Sequence, residues 1–177
     1  MNHTDHVNLL RGGVSAPGGV WADLGSGTGA FTLALAELIG PTGQIYSVDK
    51  DRAALQQQER ELRGRFPDVT VHYLAADFTR RLDLPSLDGI VMANALHFLR
   101  DKDATVQAIC RYLTPGGRFI LVEYNIENGS FAVPYPLPYS VWQALARRSG
   151  FADTQLLATR PSRFLREIYA AVSRCPG

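Results

Sequence analysis

Residues 20–50, VWADLGSGTGAFTLALAELIGPTGQIYSVDK, leave this chain few ways to fold. Val20-Trp21-Ala22 is an apolar run long enough for a buried strand. Asp23-Leu24-Gly25-Ser26-Gly27-Thr28-Gly29 follows, with three glycines in five positions. Such a turn admits positive φ and lets a ligand approach the backbone without meeting a Cβ. Ala30 to Ile39 places Phe31, Leu35 and Leu38 on one helical face with Leu33 and Ile39 beside it, and Gly40-Pro41 ends the helix. Gln44 to Val48 reads as a second strand, ending on Asp49. Strand, glycine turn, helix, strand and acid form a nucleotide-binding unit. The turn brings a ligand to the helix N-terminus, and the acid can accept hydrogen bonds from ribose hydroxyls. A glycine-rich turn with no ligand is the plain alternative.

The remaining chain extends the same alternation. Asp51 can cap a helix to about Arg63, with Ala53, Ala54, Leu55 and Leu62 inward, a solvated Gln and Arg face, and Gly64 as terminator. Val69 to Leu74 reads as a third strand leading to Asp77-Phe78, and Leu87 to Met92 as a fourth running into Asn94-Ala95-Leu96-His97. Asp101 or Asp103 can cap a helix striped by Val106, Ile109, Cys110 and Leu113. Leu113 to Arg118 then reads as stop and turn, and Phe119 to Tyr124 as a fifth, buried strand. Ser140 caps a further helix, and Thr154–Thr159 and Phe164–Ser173 read as strands joined by Arg160-Pro161-Ser162. Residues 1–17 read as a partly ordered arm, or as a short helix closing over the ligand. His3 and His6 lack further metal ligands nearby, so no metal site is expected.

At 177 residues the chain is expected to be one domain over 18–177 behind that arm. A net charge of +1 supplies no global field toward nucleic acid or an anionic membrane. No window approaches the ~20 apolar residues of a membrane span. Cys110 in a helical pattern and Cys175 in a tail expected to fray favour reduced thiols, hence a cytoplasmic setting.

The dinucleotide fingerprint is G-x-G-x-x-G. Here the pattern is Gly25-x-Gly27-x-Gly29 with Asp23 two residues ahead. This resembles the first motif of the class I S-adenosylmethionine-dependent methyltransferases, D/E-x-G-x-G-x-G. Two further stretches resemble that family: Asn94-Ala95-Leu96-His97 after the fourth strand, and Leu113-Thr114-Pro115-Gly116-Gly117 before the fifth. The resemblance covers about residues 18–173. It implies an α/β, Rossmann-like, doubly wound seven-stranded sheet, mostly parallel with a C-terminal antiparallel hairpin, and S-adenosyl-L-methionine as cofactor.

Carried over position by position, the resemblance implies cofactor contacts from Asp23, Gly25, Ser26, Gly27, Gly29, Asp49, Lys50, Asp77, Phe78 and Asn94. Asp77 would meet the adenine amino group, with Phe78 against the ring; turn capping is the alternative for Asp77. The chain lacks the (N/D/S)-P-P-(Y/F) motif of adenine and glutamine methylation and the Pro-Cys nucleophile of cytosine methylation. His97 is the candidate base, because imidazole titrates near neutrality, and Tyr124 and Tyr135 are weaker catalytic candidates. A histidine packed with one satisfied nitrogen is the other reading of His97. Phe131, Tyr135 and Tyr139, interleaved with prolines, could wall an apolar substrate pocket or pin a surface loop. The expected reaction is methyl transfer to a small-molecule oxygen or nitrogen. An NAD(P)-binding oxidoreductase and a non-catalytic cofactor-binding or partner protein are the alternatives.

Overall fold

The computed structural model describes residues 1–162 and 165–177. Its elements run α1 (His3–Leu10), β1 (Gly19–Leu24), α2 (Ala30–Ile39), β2 (Gly43–Asp49), α3 (Arg52–Arg65), β3 (Thr70–Ala75) and β4 (Leu87–Ala93). After these come a 3-10 turn (Leu96–Phe98), α4 (Asp103–Cys110), β5 (Leu113–Tyr124), α5 (Tyr139–Arg148), β6 (Ala152–Pro161) and β7 (Glu167–Arg174). The strands form one seven-stranded sheet in the order β3-β2-β1-β4-β5-β7-β6. The pairings from β3 across to β5 are parallel, whereas β7 runs antiparallel between β5 and β6. The expected sheet and closing hairpin are therefore present.

Side chains alternate between two apolar clusters along the central strands. Ile90, Met92, Phe119 and Leu121 join one cluster with Trp142 and Leu145 of α5 and Val106 and Ile109 of α4. Val91, Ile120 and Val122 join the other with α1 and α2. A strand buried on both faces explains why these segments read as unbroken apolar runs. Chain order reverses between β1 and β4, which places a crevice outside the carboxyl ends of those strands. Among the described residues no helix is long and apolar enough to cross a membrane.

Several local expectations are corrected. Residues 3–10 are a capped helix that buries Val7, Leu9 and Leu10; Asn2 accepts from Asp5 N, and Asp5 accepts from Asn2 N. Helix α3 runs through Gly64 to Arg65 and stops at Phe66, whose N–H donates to Leu62 O. Neither Asp101 nor Asp103 is the cap of α4; Lys102 holds that position, while Asp101 accepts from Asp103 N at 3.1 Å. The Leu113–Arg118 stretch belongs to β5, where the pairing jumps from Leu87↔Leu113 to Gly89↔Arg118, so the glycines form a bulge. Pro138, not Ser140, caps α5. The β6 strand reaches Pro161, and Phe164, expected at the start of the last strand, lies outside the described residues.

The tail is also tied down. Cys175 N donates to Gly117 O, Gly116 N donates to Cys175 O, and the thiols of Cys110 and Cys175 face each other. Both cysteines are free thiols.

Candidate active site

The glycine turn leaves β1 under tight backbone control. Gly25 N and Ser26 N both donate to Val48 O, at 2.8 and 3.1 Å, stapling the turn to β2. Gly25 takes φ +77°, and a Cβ there would lie 2.8 Å from the Ala95 methyl and 3.3 Å from the Phe78 ring. Gly29, at φ +91°, heads α2, and a Cβ there would collide with Gln58 at 2.3 Å. These two glycines are required both by conformation and by space.

Asp49 sits at the tip of β2 and closes the turn. Its Oδ2 accepts from Gly27 N and its Oδ1 from Asp51 N, each at 2.8 Å. At the tip of β3, Asp77 Oδ1 accepts from the backbone N and hydroxyl of Thr79 at 2.9 and 2.7 Å. The turn-capping alternative is therefore realised at one oxygen, while the exposed residue also faces the crevice. Those Thr79 hydrogen bonds hold its carboxyl below the usual range, so it is an acceptor at neutral pH.

A cleft of about 530 Å³ opens at these tips, lined by Gly25, Asp49, Lys50, Asp77, Phe78 and Asn94 with the apolar Ala95, Phe98 and Leu99. That size suits a nucleoside-sized ligand. Asn94 is held in left-handed backbone, φ 52°, by its N–H donating to Val122 O, and its buried Oδ1 has no hydrogen-bond partner. An unpaired buried acceptor in a cleft is costly unless a ligand donor meets it. Six of the ten proposed cofactor residues thus meet in one space. Asp23, Ser26, Gly27 and Gly29 do not line it; they build the turn from beneath. These residues fit an adenosyl ligand: acceptors at two adjacent strand tips, an aromatic face at Phe78, and an orphaned acceptor at Asn94.

Beneath the turn runs a buried polar chain. Thr32 Oγ1 donates to Asp23 Oδ2 at 2.6 Å, Gln58 Nε2 donates to Thr32 Oγ1, and Ser47 Oγ donates to Gln58 Oε1 at 2.6 Å. Ser47 Oγ also lies 2.8 Å from Ser26 Oγ. Burial pushes the Asp23 carboxyl up to about 7, with the charge of Asp49 adding to the rise and the Thr32 hydrogen bond opposing it. The sequence pattern does not single out Thr32 or Ser47, and Gln58, on the face expected to be solvated, is fully buried. A signal existed, because Gln58 lies on the helical stripe between Leu55 and Leu62.

His97 is 3 % exposed and does not line the cleft. Its Nδ1 is 2.7 Å from Glu123 Oε2, and its backbone N donates to Glu123 Oε1 at 3.2 Å. Glu123, wholly buried on β5, was also missed, although a lone acid in the run Phe119 to Tyr124 was a visible signal. Tyr135 N donates to His97 O, and the Tyr135 ring lies 5.8 Å from Lys102 Nζ; it is not among the residues that line the cleft. Tyr124 lies at the tip of β5, its ring 6.2 Å from that of His97 and its phenol raised by burial and by Glu123. The three aromatics of the 125–139 segment do not line the cleft. Tyr139 packs edge-on to Tyr169 at 5.6 Å, and Phe131 is fully exposed. His3 bonds to Glu37 and the His6 ring lies tilted against Phe31, so each has a partner.

A family model described as "Methyltransferase domain" matches residues 16–155. The chain belongs to the class I S-adenosylmethionine-dependent methyltransferases. It is 30 % identical over 105 residues to the ubiquinone/menaquinone biosynthesis C-methyltransferase UbiE of Pasteurella multocida, covering 58 % of this chain and 39 % of that protein. With UbiE of Shewanella halifaxensis the identity is 32 % over 111 residues, covering 62 % and 44 %. The chain thus spans about two fifths of the length of these relatives. Among solved structures, YcgJ of Bacillus subtilis superposes with a TM-score of 0.77 at 15 % identity, covering 99 % of this chain and all of its own. A Haemonchus contortus phosphoethanolamine N-methyltransferase in complex with S-adenosylhomocysteine gives 0.77 at 16 % identity, covering 98 % and 53 %. At such identities the structural likeness speaks for the fold alone. Family membership, with β7 inserted antiparallel beside β5, sets aside the dinucleotide oxidoreductase reading.

Proposed function

We propose that this chain transfers the methyl group of S-adenosylmethionine to a small organic acceptor at oxygen or nitrogen. The observation that carries the reading is the cleft in which Asp49, Asp77, Phe78 and the unpaired Asn94 Oδ1 converge at the glycine turn. Near-neutral net charge supports a small acceptor rather than a nucleic acid. The relatives' name, C-methyltransferase, adds carbon to the acceptor atoms a substrate panel must contain. A cytoplasmic setting belongs to the same proposal, supported by two free thiols.

Bound at the turn, S-adenosylmethionine supplies a methyl carbon made electrophilic by its sulfonium. The acceptor lone pair forms the new bond as the carbon–sulfur bond breaks, the electron pair going to sulfur. Because charge disperses in this step, the protein's task is alignment and exclusion of water. Asp49 and Asp77 hold the nucleoside end, and Ala95, Phe98 and Leu99 supply an apolar wall. An acceptor that arrives protonated needs a base, and His97 is proposed for it. With Nδ1–H donated to Glu123, Nε2 keeps its lone pair. The burial of His97 favours a second reading, in which the His97–Glu123 pair clamps the floor segment 94–99.

Calorimetry tests the first step: S-adenosylmethionine and S-adenosylhomocysteine bind, and NAD does not. Absence of heat with both adenosyl compounds ends the reading. Release of S-adenosylhomocysteine across a metabolite panel separates an enzyme from a non-catalytic binder. In His97→Ala a base role lowers kcat by about 10²-fold or more with cofactor affinity kept. A clamp role weakens cofactor binding instead.

A further inference from the structure

Cys110 and Cys175 take no part in the proposed reaction, and neither lines the cleft. They are the chain's two cysteines, so no third thiol competes for either. Cys110 is the last residue of α4, and Cys175 follows directly on β7. The backbone fixes Cys175 against the start of β5: its N–H donates to Gly117 O at 2.9 Å, and its carbonyl accepts from Gly116 N at 3.1 Å. Because β5 runs parallel to β4, this contact sits at the end of the sheet opposite the strand tips that hold the cleft. The Cys175 thiol donates to Cys110 O at 3.5 Å, and the two sulfurs lie 2.7 Å apart. A covalent bond needs them to close by less than about 1 Å. Both residues are half-buried, which leaves the pair partly open to solvent. Among the described residues they join no group of three or more metal-ligating side chains, so the pair lacks the ligand set of a structural zinc.

We propose that Cys110 and Cys175 are an oxidisable pair: a small-molecule disulfide such as glutathione disulfide converts them to an intramolecular disulfide that fastens the C-terminal tail to α4 and stabilises the fold. The inference is independent of the methyl-transfer chemistry. One cysteine thiolate attacks a sulfur of glutathione disulfide; a protein–glutathione bond forms, the glutathione S–S bond breaks, and one glutathione thiolate leaves. The second cysteine attacks the protein sulfur of that mixed disulfide, forming the bond between positions 110 and 175 and expelling a second glutathione thiolate. The two cysteine protons end on the two released thiols. The pair is oxidised by two electrons and the reagent is reduced by two. In the folded chain the second step joins neighbouring atoms, whereas in the unfolded chain it must close a loop spanning 65 residues. A bond that fits the native contact and restricts the unfolded chain shifts the balance toward the fold.

The test uses the full chain, reduced, freed of reductant and then incubated in its folded state with glutathione disulfide at pH 8. Intact mass, unreduced peptide maps and thermal melts are compared for wild type, Cys110→Ser and Cys175→Ser. Wild type loses the mass of two hydrogen atoms and yields one cross-linked peptide pair joining positions 110 and 175. It melts about 5 °C or more above its reduced form, and dithiothreitol removes the gain. Each serine variant keeps its thiol or carries one glutathione, and its melt does not rise. Wild type that ends with glutathione on either cysteine, with a bond between two chains, or with both thiols intact overturns the inference. So does a cross-link that leaves the melt unchanged or lowers it, and so does a serine variant that gains as much as wild type. If neither serine variant folds, the wild-type map and its reversible melting shift decide.

Discussion

Asp23 occupies an unusual position for a carboxyl, buried at 1 % exposure with its pKa raised to about 7 against an ordinary 3.8. Below about pH 4 the folded and unfolded chains both carry the proton. Between about 4 and 7 only the folded chain keeps it, so stability falls as pH rises through that window and levels off above it. Three pKa units correspond to roughly 4 kcal/mol at most. Denaturant unfolding at pH 4.5 and 8 should show that decline in wild type and a flatter profile in Asp23→Asn. The glycines of the turn are separable in the same way. Gly25→Ala meets Ala95 and Phe78, and should weaken S-adenosylhomocysteine binding about tenfold or more by calorimetry. A Cβ on Gly27 meets nothing within 4 Å, so Gly27→Ala should cost only the left-handed backbone term, about 1 kcal/mol. The G-x-G-x-G spacing announced a ligand turn; it did not distinguish a glycine required by space from one required by φ alone.

Among the elements, the N-terminal segment takes the short-helix alternative rather than that of a partly ordered arm. Eight residues of mixed polarity promise little helix alone. Its capping box, its burial of Val7, Leu9 and Leu10 and the pairing of Asp5 with Arg160 of β6 hold it in place. Asn2→Ala removes the cap and should lower unfolding free energy by about 1 kcal/mol, read by denaturant titration. The central strands β1, β2 and β4 were legible to within a residue or two, because a strand buried on both faces is apolar throughout, whereas β5 begins six residues before its expected start. Element ends were less so. Gly64 is a common helix stop and Ser140 a common N-cap, yet α3 passes the first and α5 begins before the second, since packing outweighs such weak local preferences.

Across the whole molecule, the last strand closes the sheet and brings distant residues together. The β7 strand enters between β5 and β6, and its tail sets Cys175 against Cys110 across 65 residues of sequence. Burial, together with the facing thiol, pushes the Cys110 thiol up to about 12. Thiolate is then scarce, although a more basic sulfur is also more nucleophilic. Iodoacetamide at pH 8 should therefore modify Cys110 about a hundredfold more slowly in the folded chain than in denaturant, as followed by peptide mass spectrometry. The sequence by itself determined the strand–turn–helix unit, the acids at the strand tips and the sheet class, because these depend on periodicity and on contacts between near neighbours. Only the tertiary structure decided that Gln58 turns inward to Thr32 and Ser47, that Glu123 grips His97, and that Phe131, Tyr135 and Tyr139 do not line the cleft. Those partners are 11 to 26 residues apart. Periodicity can mark a polar residue such as Gln58 as inward, but which polar side chains meet is settled by how the layers stack.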